Sequence, residues 1–213
     1  MADMPPNAGW VKASSMASAI EERDVADILH RVIKSIIEDS SLPIYKRTFA
    51  EDKTFPGEQE THLIGGDAAQ LIVSSLMYDL HPDSVAMIAT NLIRGVSYEY
   101  LVEQTQVNML GIQKLKSAIS HEMKMSQAVT NGYVGNLNFY LHEPETYIHN
   151  FVILRRPSDS TVDHVAFYFN KSESDDDYIY EIPLDGHNEY TEQLYLAYDR
   201  LRVLSVPYTG FPG

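Results

Sequence analysis

The chain contains no cysteine. That excludes disulfides, thiolate metal sites, cysteine nucleophiles and thiol redox sensing together. It also favours a reducing compartment or a virus-like particle, since exported proteins of this size often carry disulfides. No apolar run approaches the roughly 18 residues of a membrane span. The first nine residues hold two prolines and no basic stretch, so neither a signal peptide nor a membrane span is expected. Positive charge is scarce: 16 Lys and Arg face 30 Asp and Glu, a net charge of −14. Such a surface repels phosphate backbones and anionic membranes, and it suits a partner with a basic surface. Phosphate loops, dinucleotide fingerprints and nucleophile elbows are missing too. Gly65-Gly66-Asp67 lacks the lysine and second glycine that a phosphate loop needs. No cofactor and no metal is implied.

What is present is ordinary globular material. The 213 residues are 44% hydrophobic and 22% charged. A chain of this length buries roughly 70% of its unfolded surface without staples. Residues 1–14, with Pro5-Pro6, Asn7, Gly9 and Trp10, read as an extended arm. Ser18 and Glu21 form a capping box for a helix over Ala19–Asp39, with Val25, Ile28, Leu29, Val32 and Ile36 in one apolar stripe. A short strand is expected at Ile44–Phe49. Further helices are expected at Asp67–Leu80, at Ser84–Arg94, where Gly95 stops it, at Tyr98–Gln104 and at Met109–Val129.

After Gly132 the pattern changes. Asn136–Leu141, Tyr147–Arg155, Val162–Asn170 and Tyr178–Ile182 are rich in Tyr, Phe, Val and Ile and read as strands. Their short connections predict an antiparallel meander. A helix over Glu192–Leu204 is expected, with strand as the competing reading. The fold class is therefore α+β: about five helices in the first two thirds, then a small antiparallel sheet of about four strands. The expected division is an arm at 1–14, a helical region at 15–131 and a strand-rich region at 132–213 with an extended tail. Both large parts are acidic, with 11 basic against 17 acidic side chains in residues 1–129 and 5 against 13 in 130–213.

The stretch Ser84 to Leu115 carries Leu92, Gly95, Ser97-Tyr98, Leu101-Val102, Val107, Asn108 and Ile112. In these features it resembles a helix-turn-helix of the sigma-factor region 4 or LuxR kind, over residues 84–122. That resemblance implies a DNA-reading helix after Asn108, with Asn108, Gln113, Lys114 and Lys116 at the bases. The departures are Val102 and Gln106, where the family has smaller residues. From Pro82 to Met125 four basic side chains meet four acidic ones, a net charge of zero, so cations for phosphate contacts are few. A three-helix packing unit with the same turn chemistry, spanning 84–129, is the competing reading.

Three functions follow. The first is a non-catalytic assembly subunit of a larger complex, in the cytoplasm or a virion, with protein partners and no membrane. Its expected contacts are Trp10, Tyr208 and Phe211, since Trp and Tyr are enriched at interfaces. The second is a DNA-binding regulator using the helix-turn-helix-like segment. The third is a hydrolase built on His149 and His164, which fall on neighbouring predicted strands. Phe151 and Ala166 stand where a two-histidine phosphodiesterase would need Ser or Thr. The acidic run Glu173 to Asp177 reads as a solvated hairpin tip.

Overall fold

In a computed structural model, residues 8–43, 45–48, 70–74, 80–125, 135–144, 150–155, 162–169, 178–183 and 188–210 are described. Four helices and eight strands occur among them. In chain order they are α1 (Ala8–Glu38), β1 (Tyr45–Thr48), β2 (Gln70–Val73), α2 (Pro82–Ile93), β3 (Ser97–Glu103), α3 (Gln106–Met125), β4 (Leu137–His142), β5 (Asn150–Arg155), β6 (Val162–Phe169), β7 (Tyr178–Pro183), α4 (Asn188–Leu204) and β8 (Val206–Pro207). Among the described residues no helix is long and apolar enough to cross a membrane.

The strands form one mixed sheet in the order β1-β7-β6-β5-β2-β3-β4-β8. β2, β3 and β4 are parallel neighbours, and the remaining pairs are antiparallel. The expectation of a helical first two thirds followed by a separate four-stranded antiparallel sheet is therefore wrong. The class is still α+β, but β2 and β3 come from the supposedly helical part and form the sheet's parallel centre. β5, β6 and β7 do make the expected meander. β4 stands apart from them, with β2 and β3 in between.

The decisive misreading is Ser97–Glu103. As a helix it would be the middle element of a helix-turn-helix; it is a strand. Its sequence, Ser-Tyr-Glu-Tyr-Leu-Val-Glu, is aromatic and β-branched enough for a pleated surface. Alternation separates its faces. Tyr98, Tyr100 and Val102 pack under α2 and α3, while Leu101 packs under α1 and α4. Ser97 does not cap a helix. Its Oγ accepts the Asn136 N–H at 3.1 Å and so ties the entry of β4 to β3. The predicted helix over Asp67–Leu80 is overturned by β2 for the same reason, since Leu71, Ile72 and Val73 are all buried. A strand covered on both faces reads as a continuous apolar run, which helical periodicity mimics over short lengths.

The two helical layers close separate cores. On one face α1 supplies Val25, Leu29, Val32, Ile33 and Ile36, and α4 supplies Leu194, Ala197, Tyr198 and Leu201. On the other, α2 supplies Val85, Ile88 and Leu92, and α3 supplies Ile112, Leu115 and Ile119. Asn91 Nδ2 donates to the buried Tyr98 hydroxyl at 2.8 Å, fixing α2 on the sheet. Tyr98, Tyr100 and Phe139 stack in a row across β3 and β4. Gly95 does end α2 as expected, with φ +92°, a region open to glycine at no steric cost. The expected arm at 1–14 is replaced from Ala8 onward by the first turns of α1.

Candidate functional site

Two places combine chemistry with position: the outer surface of the α1–α4 pair and the carboxyl ends of the parallel strands. The helix pair is antiparallel. Arg200 Nη2 lies 3.6 Å from Glu21 Oε1, and far along both helices the Tyr190 hydroxyl donates to Asp39 Oδ2 at 2.7 Å. That contact also raises the Tyr190 phenol above its ordinary value. On these two helices Ile20 and Ile28 of α1 and Leu196 and Val203 of α4 are large apolar side chains left exposed. Leu196 and Val203 are 67% and 70% exposed and seven residues apart, on the side of α4 opposite Leu194, Ala197 and Leu201.

Beneath this pair a polar network joins α4 to the sheet. The Tyr198 hydroxyl donates to Glu99 Oε2 on β3. Burial, then the Glu99 charge, push its phenol far above the usual tyrosine range, so it stays a donor. Arg202 stacks over the Tyr140 ring at 5.7 Å and bonds Asp199 one turn back. The Tyr198 hydroxyl gives the Glu99 carboxylate a donor on a largely apolar sheet face.

The second place lies where β3 and β4 end together, with Glu103 opposite His142. Alternation puts both side chains on the α1 side of the sheet. His142 is 4% exposed, and Glu22 of α1 is 3% exposed. The Glu143 N–H donates to Glu22 Oε2 at 2.9 Å. His142 Nδ1 lies 3.0 Å from the Glu143 carbonyl oxygen, which makes Nδ1 the protonated nitrogen and leaves Nε2 a lone pair. Burial lowers the His142 pKa below 6.5, partly opposed by the Glu143 carbonyl and by the charges of Glu103 and Glu143. Burial also raises the Glu22 pKa, opposed by the Glu143 N–H.

These directions fix a pH response. A histidine whose folded pKa is lowered binds protons more readily in the unfolded chain, so stability falls as pH drops below 6.5 through the folded value. His30, likewise lowered by burial, acts in the same sense. Urea midpoints measured from about pH 7.5 down to about 5.5 should therefore fall in the wild type, and more gently in His142→Gln. Equal slopes would show that His142 titrates alike in both states.

The four residues of the DNA-reading expectation, Asn108, Gln113, Lys114 and Lys116, are not brought together on one face. Asn108 is no cap: Thr105 Oγ1 accepts its N–H at 3.1 Å, and its own Nδ2 donates to the Glu103 carbonyl at 2.9 Å, binding α3 to the end of β3. Lys114 and Lys116 are both exposed but about 200° apart around the helix. Gln113 points away from the buried Ile112 and Leu115. Asn108, Gln113, Lys114 and Lys116 thus share no face, and with a strand at Ser97–Glu103 the helix-turn-helix reading is overturned. Trp10 lies within α1 rather than on an extended arm. Tyr208 is anchored: its N–H donates to the Phe139 carbonyl at 2.9 Å, and Lys116 Nζ stands 5.8 Å over its ring. Phe211, His149 and the run Glu173 to Asp177 lie outside the described residues. His164 lies on β6, paired with Leu154 and Pro183. The Glu22, Glu103 and His142 grouping was missed because α1, β3 and β4 contribute one residue each. No local spacing records that.

No family model matches the chain, and no curated protein matches it in sequence. Among solved structures it is similar to TrmBL2, an archaeal chromatin protein with a novel mode of DNA binding, at 10% identity, over 90% of this chain and 64% of that one, with a TM-score of 0.41. It is also similar to Nuc from Salmonella typhimurium, a phospholipase D family member, at 8% identity, over 78% of this chain and 98% of that one, with a TM-score of 0.43. The chain thus spans a little under two thirds of TrmBL2, and neither superposition is close enough to transfer a site residue.

Proposed function

We propose that the chain is a non-catalytic assembly subunit that joins other copies of itself, in the cytoplasm or within a virion, through the outer face of α1 and α4. The observation that carries this reading is the pair Leu196 and Val203. Both are largely exposed on a helix whose opposite side already fills the core. Residues seven apart on one helix line present a repeating apolar seam to a partner helix. The adjoining helix α1 also leaves two large apolar side chains exposed, Ile20 and Ile28. A chain of net charge −14 repels its own copies, so self-association favours a contact low in net charge. The Glu21–Arg200 ion pair offsets one negative charge between the two helices.

The test is absolute mass by light scattering on a sizing column. The wild type should run at a defined multiple of 24.1 kDa, and at a larger fraction of it as salt screens the negative surfaces. Leu196→Glu with Val203→Glu should reduce it to a single chain while leaving the thermal midpoint of the subunit unchanged, since neither side chain is in the core. A wild type that stays monomeric up to high concentration rules the reading out.

A further inference from the structure

We propose that two copies of the chain pair α4 against α4, antiparallel about a twofold axis, with Leu196 of each copy against Val203 of the other. The inference rests on the reading of the outer face of α4 as a self-association surface and adds the geometry of the contact. At about 100° per residue, Leu196, Asp199, Arg200 and Val203 fall within roughly 100° of the circumference of α4. This arc faces away from the core. Leu196 and Val203 are 67% and 70% exposed, and the Asp199 and Arg200 side chains 39% and 61%. Leu194, Ala197, Tyr198 and Leu201, all buried, occupy the opposite side.

The order of side chains along the arc selects the partner. It runs apolar, acidic, basic, apolar. In an antiparallel contact about a twofold axis, each position meets the one equally far beyond the axis, so setting Leu196 against Val203 also sets Asp199 against Arg200. The contact occurs once on each side of the axis. Both apolar ends are covered and both charge pairs are of opposite sign. A parallel contact would set Leu196 on Leu196, but also Asp199 on Asp199 and Arg200 on Arg200. Like charges facing across an interface are costly, and a chain of net charge −14 starts from repulsion. Contacts within the chain do not use these groups up. Asp199 Oδ1 accepts from Arg202, and a carboxylate has about four acceptor sites. Arg200 Nη2 stands 3.6 Å from Glu21 Oε1, and a guanidinium has about five N–H donors. A face that complements itself in this way closes on a second copy, so through it the assembly is a pair and not an open chain.

Disulfide trapping tests the geometry, because the chain has no cysteine and introduced thiols are its only ones. Leu196→Cys and Val203→Cys are oxidised separately and as an equal mixture, then run on a non-reducing gel. A disulfide needs Cα atoms within about 7 Å, whereas seven helical residues span about 10 Å. The mixture should form a linked pair, and neither variant alone should. Linkage of either variant alone to the extent of the mixture overturns the proposal. So does a mixture that stays unlinked at a concentration where the wild type is associated. Light scattering gives a second measurement. Asp199→Arg should weaken pairing about tenfold, and adding Arg200→Asp should restore most of it, since opposite charges again meet across the axis. In a parallel pair the first change only exchanges one like-charge contact for another, so an unchanged mass in Asp199→Arg, or no recovery in the double variant, also overturns the proposal. An associated wild type with these outcomes leaves the self-association reading in place and discards this geometry alone. A monomeric wild type discards both.

Discussion

Replacing Gly135 with alanine should remove a large part of the folding free energy. A Cβ at this position would stand 1.7 Å from the Val96 carbonyl oxygen and 2.5 Å from its carbon. Both are backbone atoms, so no rotamer change relieves the overlap. Nor can the segment retreat. The Gly135 N–H donates to the Leu92 carbonyl at 2.7 Å, the Asn136 carbonyl accepts the Tyr98 N–H at 2.7 Å, and the Asn136 N–H reaches Ser97 Oγ. These bonds stitch the start of β4 to the turn between α2 and β3. Opening the gap would lift β4 from β3 and break the Tyr100–Phe139 stack, whose centroids are 4.9 Å apart. A loss on the order of 4 kcal/mol is expected, against a total of about 5–15 kcal/mol for a domain. Asn136→Ala is the control. Its side chain is exposed and its backbone bonds survive, so the change should stay within about 0.5 kcal/mol. Urea denaturation followed by circular dichroism measures both. A Gly135→Ala midpoint equal to wild type would mean that β4 enters the sheet by another path.

The segment from Gly95 to Asn136 also shows what the sequence could and could not convey. Gly95 announced its turn because a left-handed stop is a local requirement. β5, β6 and β7 were legible for a related reason: each is a short aromatic and β-branched run bounded by turn residues, and their pairing is sequential. α4 was readable from Leu194, Ala197, Tyr198 and Leu201, whose helical spacing matches the buried face. β2 and β3 were not. They are four and seven residues long and covered on both faces, so their apolar content carries no clean alternation. Ser97 and Asn108 added to the error, because both are residue types that cap helices. Ser97 is used across strands, and Asn108 sits one turn inside a helix capped by Thr105. With residues 97–103 read as a helix, the turn chemistry around them completes a false motif. The candidate site escaped for a different reason. His142, Glu103 and Glu22 meet only when a parallel pairing and a helix from the far end of the chain are both in place. Glu22 is separated from Glu143 by 121 residues, so its burial reads in the sequence as just one more acidic residue on α1.

Leu101→Ala should cost about 2–5 kcal/mol, the usual range for emptying a filled leucine site. The side chain is wholly buried, in the core closed by α1 and α4. It shares that core with Ile72 of β2, Ile153 of β5, Leu29 and Ile33 of α1, and Leu194 and Leu201 of α4. They come from four separate parts of the chain, each fixed by its own strand or helix, so the cavity cannot collapse by moving a single loop. The cost should therefore fall in the upper half of the range. Leu110→Ala provides the contrast. That residue lies on α3, 44% exposed, and should cost under about 1 kcal/mol. The pair also separates the two readings of residues 84–122. In a helix-turn-helix, Leu101 would pin one short helix against the next, and its loss would be borne by that small unit. In the sheet, Leu101 lies under the α1–α4 layer, and its removal must loosen that layer too. Hydrogen exchange in Leu101→Ala should therefore lose protection in α1 and α4 together with β3. Protection lost only between residues 84 and 122 would contradict the central placement of β3.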